Sequence, residues 1–280
     1  MRLADPIDQA TGLRRLFAGG PEFRSVGILG PDGRRNARAC AELARGLGRR
    51  GSQVLVLDEA RPPYNVGGMW GLLARHTLAD VPRVHLAEAA VDAGQGIRLL
   101  AAPESLRTLA ALNEQSLLAM AEHWGEAPEW MLLNGRGGPQ GGGAGLATTA
   151  EIRVLVLPGG RDWLADAYAA LKAAHAAWFG GQWMVLVEGA DLDVAQRLYH
   201  SLRETAQRFL GFSPGYLGCL PSPREQDADG YGGLLAESLQ AVQAEQPINF
   251  EQCWQRMWLF SRMALEPAGG KGRNAGRYPG

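Results

Sequence analysis

The sequence predicts an α/β fold, a doubly wound and mainly parallel sheet of about seven strands with helices on both faces. Three observations lead to this prediction. Apolar runs of strand length alternate along the 280 residues with longer stretches of helical periodicity. The runs are apolar at nearly every position, which is typical of strands covered on both faces. The chain is 46% apolar, which is enough to bury a large core.

The predicted elements alternate regularly along the chain. Strands are expected at 25–29, 53–58, 97–101, 129–133, 152–157, 183–187 and 216–219, where aliphatic residues dominate. Helices are expected at 34–50, 105–124, 162–179, 191–210, 231–244 and 249–264, where apolar residues recur every three or four positions.

The chain divides into four regions. They are an N-terminal segment at 1–22, an α/β domain at 23–246, an amphipathic helix at 247–266 and a tail at 267–280. Glycine dominates the stretch 135–145 and recurs in the tail, so we expect a mobile loop and a disordered tail.

Charge and composition exclude several classes of function. A net charge of −1 lacks the surplus of basic residues that nucleic-acid binding requires. The 3 cysteines form no C-x-x-C pair and the 5 histidines have no metal-ligand spacing, so neither a zinc site nor a disulfide framework is expected. The sequence shows no membrane-spanning apolar run and no signal peptide, which predicts a cytoplasmic protein. Only Lys172 and Lys271 are lysines, so a phosphate-binding loop with a lysine near the N-terminus is excluded.

Four segments resemble one family in order and spacing. They read DQATGLR at 8–14, VLVLDEARPPYNVGGMWGL at 54–72, LADAYAALK at 164–172 and YLGCLP at 216–221. The second resembles the aspartate-containing loop of the MinD/ParA family of P-loop ATPases, with Asp58 and Asn65 at the matching places. The other three resemble the flagellar number regulators FlhG and FleN within that family. The resemblance implies a P-loop fold and a role in setting the number or placement of flagella.

The first turn departs from this family where phosphate and Mg²⁺ bind. The family's SGKGGVGKT loop uses backbone N–H groups, two lysines and a threonine hydroxyl for this purpose. Pro31 and Asn36 stand at the lysine positions, and Ala37 stands at the threonine position. Ala60 replaces the water-orienting aspartate and Asn134 the metal-linked aspartate that the resemblance implies. Because phosphoryl transfer depends on positioning and charge, we expect no catalytic residue and interpret the chain as a pseudo-ATPase.

The first turn and two later positions carry the residual nucleotide contacts that the resemblance implies. They are Gly30, Gly33, Arg34, Arg35, Asp58 and Glu188, with Asp58 as the ligand if Mg²⁺ binds. Asp32 adds a negative charge where phosphate charges would lie. No cofactor or metal is therefore expected.

Two alternatives remain open at this point. One is an active MinD-type ATPase that binds ATP and Mg²⁺, in which Arg34 or Arg35 replaces a lysine. The other is a generic α/β module whose crevice binds another ligand or a protein. Homodimerisation also remains open, because the family's dimer is built across bound ATP.

The N-terminal segment is expected to bind a partner. Asp8 suits the capping position of a short helix. The resemblance implies that this segment acts on the GTPase FlhF and stimulates its hydrolysis, and that flagellar switch (C-ring) or flagellar transcription components are further partners. The residues predicted to contact FlhF are Asp8, Gln9, Ala10, Leu13 and Arg14. The alternative is a helix packed on its own domain.

Aromatic residues recur on one side of the last predicted helix. The aromatic residues are Phe250, Trp254 and Trp258, and Met257 lies on the same side. This pattern fits a peripheral contact with the inner membrane, as the resemblance implies, and it fits packing in the core equally well.

Arginines fall on one face of the first long helix. They are Arg34, Arg38, Arg45 and Arg49. Such a charged stripe is typical of a solvated helix face, and docking of an acidic partner is the alternative.

Overall fold

The apolar runs pair into one sheet. The computed structural model describes residues 23–81, 83–122, 127–137, 145–178, 180–222 and 228–266. Its strands are β1 (Arg24–Leu29), β2 (Val54–Asp58), β3 (Val91–Gly94), β4 (Ile97–Ala101), β5 (Trp130–Asn134), β6 (Ile152–Pro158), β7 (Gln182–Glu188) and β8 (Gly215–Leu220). Their order is β3-β4-β2-β5-β1-β6-β7-β8. β3 pairs antiparallel with β4, and the other neighbours pair in parallel.

The helices of the described residues connect these strands. They are α1 (Gly33–Arg49), α2 (Val66–Trp70), α3 (Leu86–Ala89), α4 (Ser105–Ala110), α5 (Glu114–Glu122), α6 (Leu164–Ala177), α7 (Leu192–Leu210), α8 (Ala228–Ala241) and α9 (Phe250–Leu265). Short 3₁₀ turns occur at 78–80, 146–149 and 161–163. In these parts of the chain, no helix combines the length and the apolar character needed to cross a bilayer.

Both faces of the sheet are buried because successive strand residues point to opposite sides. On one face Val56 packs with the apolar sides of α1 and α8. On the other face Leu57 packs beneath α4, α5 and α9, and Leu155 packs beneath α6 and α7. These layers confirm the predicted doubly wound sheet with helices on both faces.

The structure adds an edge strand and interrupts one predicted helix. β3 was not predicted, because Val91–Gly94 is short and alternates between half-buried and exposed residues. It turns back to β4 through Gly94, Gln95 and Gly96, which all have positive φ. The helix predicted at 105–124 is two helices, since the Asn113 side chain accepts the N–H of Ser116 at 2.8 Å and starts a new helix there.

The last helix is docked in the core. Phe250 is 7% exposed, and Trp254 and Met257 are 0% exposed. Trp258 is partly buried, and its Nε1 donates to the carbonyl oxygen of Leu112 at 2.9 Å. The four residues predicted to face a membrane or the core therefore pack inside the protein in this structure. The outward side of α9 carries other apolar residues, among them Leu259 and Met263.

A buried carboxylate binds the residues that precede α9 to the sheet. Glu151 accepts the N–H and the hydroxyl of Ser25 at 2.9 and 3.0 Å, and it accepts the N–H of Ile248 at 2.9 Å. It thus joins β1, the start of β6 and the residues before α9. Burial raises the pKa of the Glu151 carboxyl.

Candidate functional site

A side chain of the turn from β1 into α1 occupies the N-terminus of the helix. Asp32 caps α1, and its Oδ1 accepts the N–H groups of Arg34 at 2.9 Å and Arg35 at 3.2 Å. Its Oδ2 lies 3.4 Å from Arg35 Nε. A helix N-terminus attracts anions because its first N–H groups lack partners and the helix dipole is positive there. In this turn the anion is the Asp32 carboxylate.

Two further contacts fill the same turn. Asn36 donates from Nδ2 to the carbonyl oxygen of Gly30 at 3.2 Å, so its side chain folds back across the loop. The loop after β5 lies against the start of α1, since a Cβ on Gly33 would stand 2.5 Å from the carbonyl oxygen of Arg136. Glycine is therefore required at position 33, and the described residues leave little space beside it.

A buried ion-pair cluster links α1 to the end of β7. Glu188 is 3% exposed, and its two carboxylate oxygens accept Arg35 and Arg38 separately. Arg38 also donates to the carbonyl oxygen of Pro221 at 2.6 Å, and Arg35 donates to the backbone carbonyl of Glu188 at 3.1 Å. The prediction that Arg38 lies on a solvated face is wrong, because its side chain is only 10% exposed. Arg34, Arg45 and Arg49 do lie on the exposed side of α1.

A second cluster lies at the carboxyl ends of β2 and β5. Asp58 is 1% exposed and accepts four hydrogen bonds. Its Oδ2 accepts the N–H groups of Val66 at 2.7 Å and Gly67 at 3.2 Å, and its Oδ1 accepts Asn134 Nδ2 at 2.8 Å and the N–H of Ala60 at 3.3 Å. Burial raises the pKa of Asp58, although these hydrogen bonds oppose the shift.

Glu59 was not predicted as a site residue. It is 0% exposed, it accepts the Ser105 hydroxyl, and it accepts the N–H of Ala147 at 3.3 Å. Burial raises the pKa of Glu59. Its position directly after the aspartate that ends a fully apolar strand is the signal that could have identified it.

The structure brings the predicted residues together in two groups. The β1–α1 turn holds Gly30, Pro31, Gly33, Arg34, Arg35, Asn36 and Ala37, with Glu188 beside it, and the second group holds Asp58, Ala60 and Asn134. The groups share the carboxyl edge of the sheet, because Asn134 pairs with Ile28 of β1 and with Asp58 of β2. The residues predicted to contact FlhF, at 8–10, 13 and 14, lie outside the described part of the chain, as do 138–144 and 267–280.

Similar folds occur among solved structures of cell division and plasmid partition proteins. MinD of Aquifex aeolicus, a cell division protein, superposes with a TM-score of 0.57 at 16% identity, covering 81% of this chain and 100% of that chain. An ATP complex of McdA from Cyanothece gives 0.56 at 16% identity, with 81% and 100% coverage. A plasmid partition protein from Borrelia burgdorferi gives 0.55 at 10% identity, with 79% and 100% coverage. No family model matches the chain, and a comparison with curated proteins gives no match. The chain therefore has the fold of the MinD- and ParA-type P-loop ATPases.

Proposed function

We propose that this protein is a non-hydrolysing regulator of the MinD/ParA-type fold that acts through protein contacts. The observation that carries the proposal is the position of Asp32, whose carboxylate accepts the N–H groups of Arg34 and Arg35. In P-loop proteins these N–H groups hold phosphate. A chain that supplies its own anion at this place, and carries no lysine before position 172 in its sequence, has little affinity for a nucleotide.

The residues of the site do not fit ATP with Mg²⁺. Ala37 offers no hydroxyl to the metal, and the oxygens of Asp58 are already engaged by four donors. Asn36 is turned toward Gly30 rather than toward a phosphate. Arg35, which could replace a lysine charge, is held by Asp32 and Glu188. The described residues of this turn therefore lack the lysine charge, the hydroxyl and the open carboxylate that phosphoryl transfer in this fold would use.

Isothermal titration with ATP and ADP, with and without Mg²⁺, tests this proposal. We expect no saturable heat from the wild type. Asp32→Ser keeps a capping oxygen but removes the charge, and we expect it to stay silent because Pro31 and Asn36 remain. A MinD-type ATPase with an intact loop is the positive control. Magnesium-dependent ATP turnover that Asp58→Ala abolishes would favour the active ATPase instead.

We further propose that the regulator belongs to flagellum biogenesis and binds an FlhF-type GTPase through Asp8, Gln9, Ala10, Leu13 and Arg14. The DQATGLR sequence supports this, through its resemblance to the flagellar number regulators. Gln9 is the residue proposed to order the GTPase site, because an amide can orient a water molecule or a loop.

Turnover of FlhF measured with the full chain tests this role. Stimulation by the wild type, lost in Gln9→Ala and retained in Asp32→Ser, is expected. A peptide of residues 1–20 is expected to stimulate as well. Unchanged FlhF turnover with both the chain and the peptide would refute the partner without bearing on nucleotide binding.

Contact with the inner membrane is not part of the proposed function. Trp254 and Met257 are fully buried, so they could reach a lipid surface only if α9 left the core. The outward Leu259 and Met263 give a direct test that leaves the core intact. Vesicles of anionic lipid are expected not to co-sediment the wild type, and Leu259→Glu with Met263→Glu is expected to behave identically.

A further inference from the structure

A groove beside α1 lies apart from the nucleotide-type turn. It has a volume of about 390 Å³ and is formed by α1, α2, and the β3–β4 hairpin. We call it the α1 groove. The residues that matter here are Glu42, Arg45, Arg49, Trp70, Leu72 and Gln95. It is neither a closed cavity nor a flat surface, so an extended segment could lie in it.

Arg45 and Trp70 form the centre of the α1 groove. The guanidinium carbon of Arg45 lies 5.7 Å from the centre of the Trp70 ring, within the range of a cation–π interaction. The Arg45 side chain is 45% exposed, and its Nη1 is 3.5 Å from Glu42. The Nε1 of Trp70 is buried and has no hydrogen-bond partner in the described part of the chain. An oxygen acceptor that lies in the α1 groove would meet the half-exposed Arg45 guanidinium beside the Trp70 ring.

The rim of the α1 groove contains a strained residue. Gln95 has φ 53°, a left-handed conformation that is uncommon for a residue other than glycine. Its carbonyl oxygen lies against α1, since a Cβ on Gly48 would stand 2.7 Å from it. Strain of this kind concentrates at functional positions, and Gln95 lines the α1 groove together with Arg45 and Trp70.

We propose that the α1 groove binds an acidic peptide segment of a partner protein, with at least one apolar side chain. The lining carries two guanidinium groups and one carboxylate, within a protein of net charge −1, so this side is locally positive. Trp70 and Leu72 supply apolar surface for the aliphatic side chain. Because Arg45 is half exposed, a partner carboxylate reaches it without displacing the core.

A labelled peptide tests the proposal on the full chain. The probe is a fluorescein-labelled ten-residue peptide of alternating glutamate and leucine, and its binding is followed by fluorescence anisotropy. Saturable binding is expected for the wild type, with Arg45→Glu weakening it at least tenfold and Trp70→Phe at least threefold. Arg203→Glu is the matched control on α7, since it also reverses an exposed arginine beside a surface groove, and a change below twofold is expected.

Several results would overturn this inference. They are no saturable binding of the glutamate–leucine peptide, equal binding of a lysine–leucine peptide, or equal losses in Arg45→Glu and Arg203→Glu. If Arg45→Glu lowers the helical circular dichroism signal, Arg45→Gln replaces it, with the same tenfold loss expected. A dimer in gel filtration that Arg45→Gln dissociates would show a second copy as the occupant and would also contradict the proposal. Nucleotide titrations are unaffected by each of these outcomes, so the inference and the proposed function fail separately.

Discussion

The carboxylate of Asp32 accepts the backbone N–H of Arg34 at 2.9 Å and so places a negative charge at the first turn of α1. The same carboxylate lies 3.4 Å from the Arg35 side chain. The chain thus supplies its own anion to the first turn of α1. In P-loop ATPases the N–H groups at a helix N-terminus bind phosphate. In this chain the N–H groups of Arg34 and Arg35 donate to Asp32 and stabilise the helix.

Asp32→Ala is expected to lower the free energy of unfolding by about 1 kcal/mol, because the first N–H groups of α1 lose their acceptor. Asp32→Asn retains a capping oxygen and should lose only a few tenths of a kcal/mol, roughly the contribution of a partly exposed ion pair with Arg35. Urea denaturation of both variants measures the difference. Equal destabilisation would mean that the charge, and not the cap, stabilises the turn.

Glu188→Gln is expected to destabilise the protein by about 3 kcal/mol. The change leaves Arg38, with a side chain only 10% exposed, without a carboxylate in the interior. Glu104→Gln is the matched control, because it breaks a solvent-exposed ion pair with Arg61 and should cost far less than Glu188→Gln. Thermal or urea unfolding distinguishes the two. A loss for Glu188→Gln as small as that of the control would contradict a structural role for the cluster.

The stability of the protein is expected to depend on the ionisation of Glu59. Burial raises its pKa above the ordinary value of 4.5, so the folded state holds the proton more tightly than the unfolded chain. Its stabilising contribution is therefore largest below pH 4.5 and declines as the pH rises through the folded pKa. Relative to Glu59→Gln, the wild type should lose stability in urea unfolding as the pH rises above 4.5 and through the raised folded-state pKa.

Glu104 is a control for which the change of stability with pH is expected to have the opposite sign. Its hydrogen bond with Arg61 lowers the pKa of Glu104, so this group stabilises the fold above its ordinary pKa of 4.5 and loses that effect on acidification. Relative to Glu104→Gln, the wild type should therefore gain stability as the pH rises. Parallel slopes for the two comparisons would show that burial does not govern Glu59.

Trp254→Ala is expected to cost about 4 kcal/mol, because the fully buried indole leaves a large cavity beneath α9. Trp254→Phe should cost about 1 kcal/mol, since the buried Nε1 of Trp254 has no partner to lose among the described residues. Leu259→Ala, at a side chain 48% exposed, should change stability by less than about 0.5 kcal/mol. Similar values for all three would indicate that α9 is not docked in solution.

Gln95→Gly is expected to stabilise the protein by up to about 1 kcal/mol, because glycine adopts the left-handed conformation at φ 53° without strain. The same variant should weaken binding of the glutamate–leucine peptide. Gln95→Ala keeps the strain and removes the amide, so it should lose binding without gaining stability. Urea unfolding and anisotropy on the three proteins separate these effects.

The sequence predicts the elements better than the contacts between them. β4 has the predicted bounds 97–101 because its apolar run is unambiguous, whereas β3 was missed because a short edge strand has no such run. The composition of the β1–α1 turn indicated correctly that Asp32 brings negative charge there. The burial of Arg38 was not predictable, because its partner Glu188 lies 150 residues away and only the parallel pairing of β7 places it beside α1.

An anion that belongs to the chain differs in one respect from an anion that arrives from solution. Asp32 is tethered two residues from the N–H group that it occupies, so its effective concentration at the turn does not change when the protein is diluted or when cellular ATP falls. A nucleotide that binds at this turn would have to displace the Asp32 carboxylate, which is covalently attached two residues away. The first turn of α1 is therefore expected to be insensitive to the energy state of the cell, unlike the loop of a cycling ATPase.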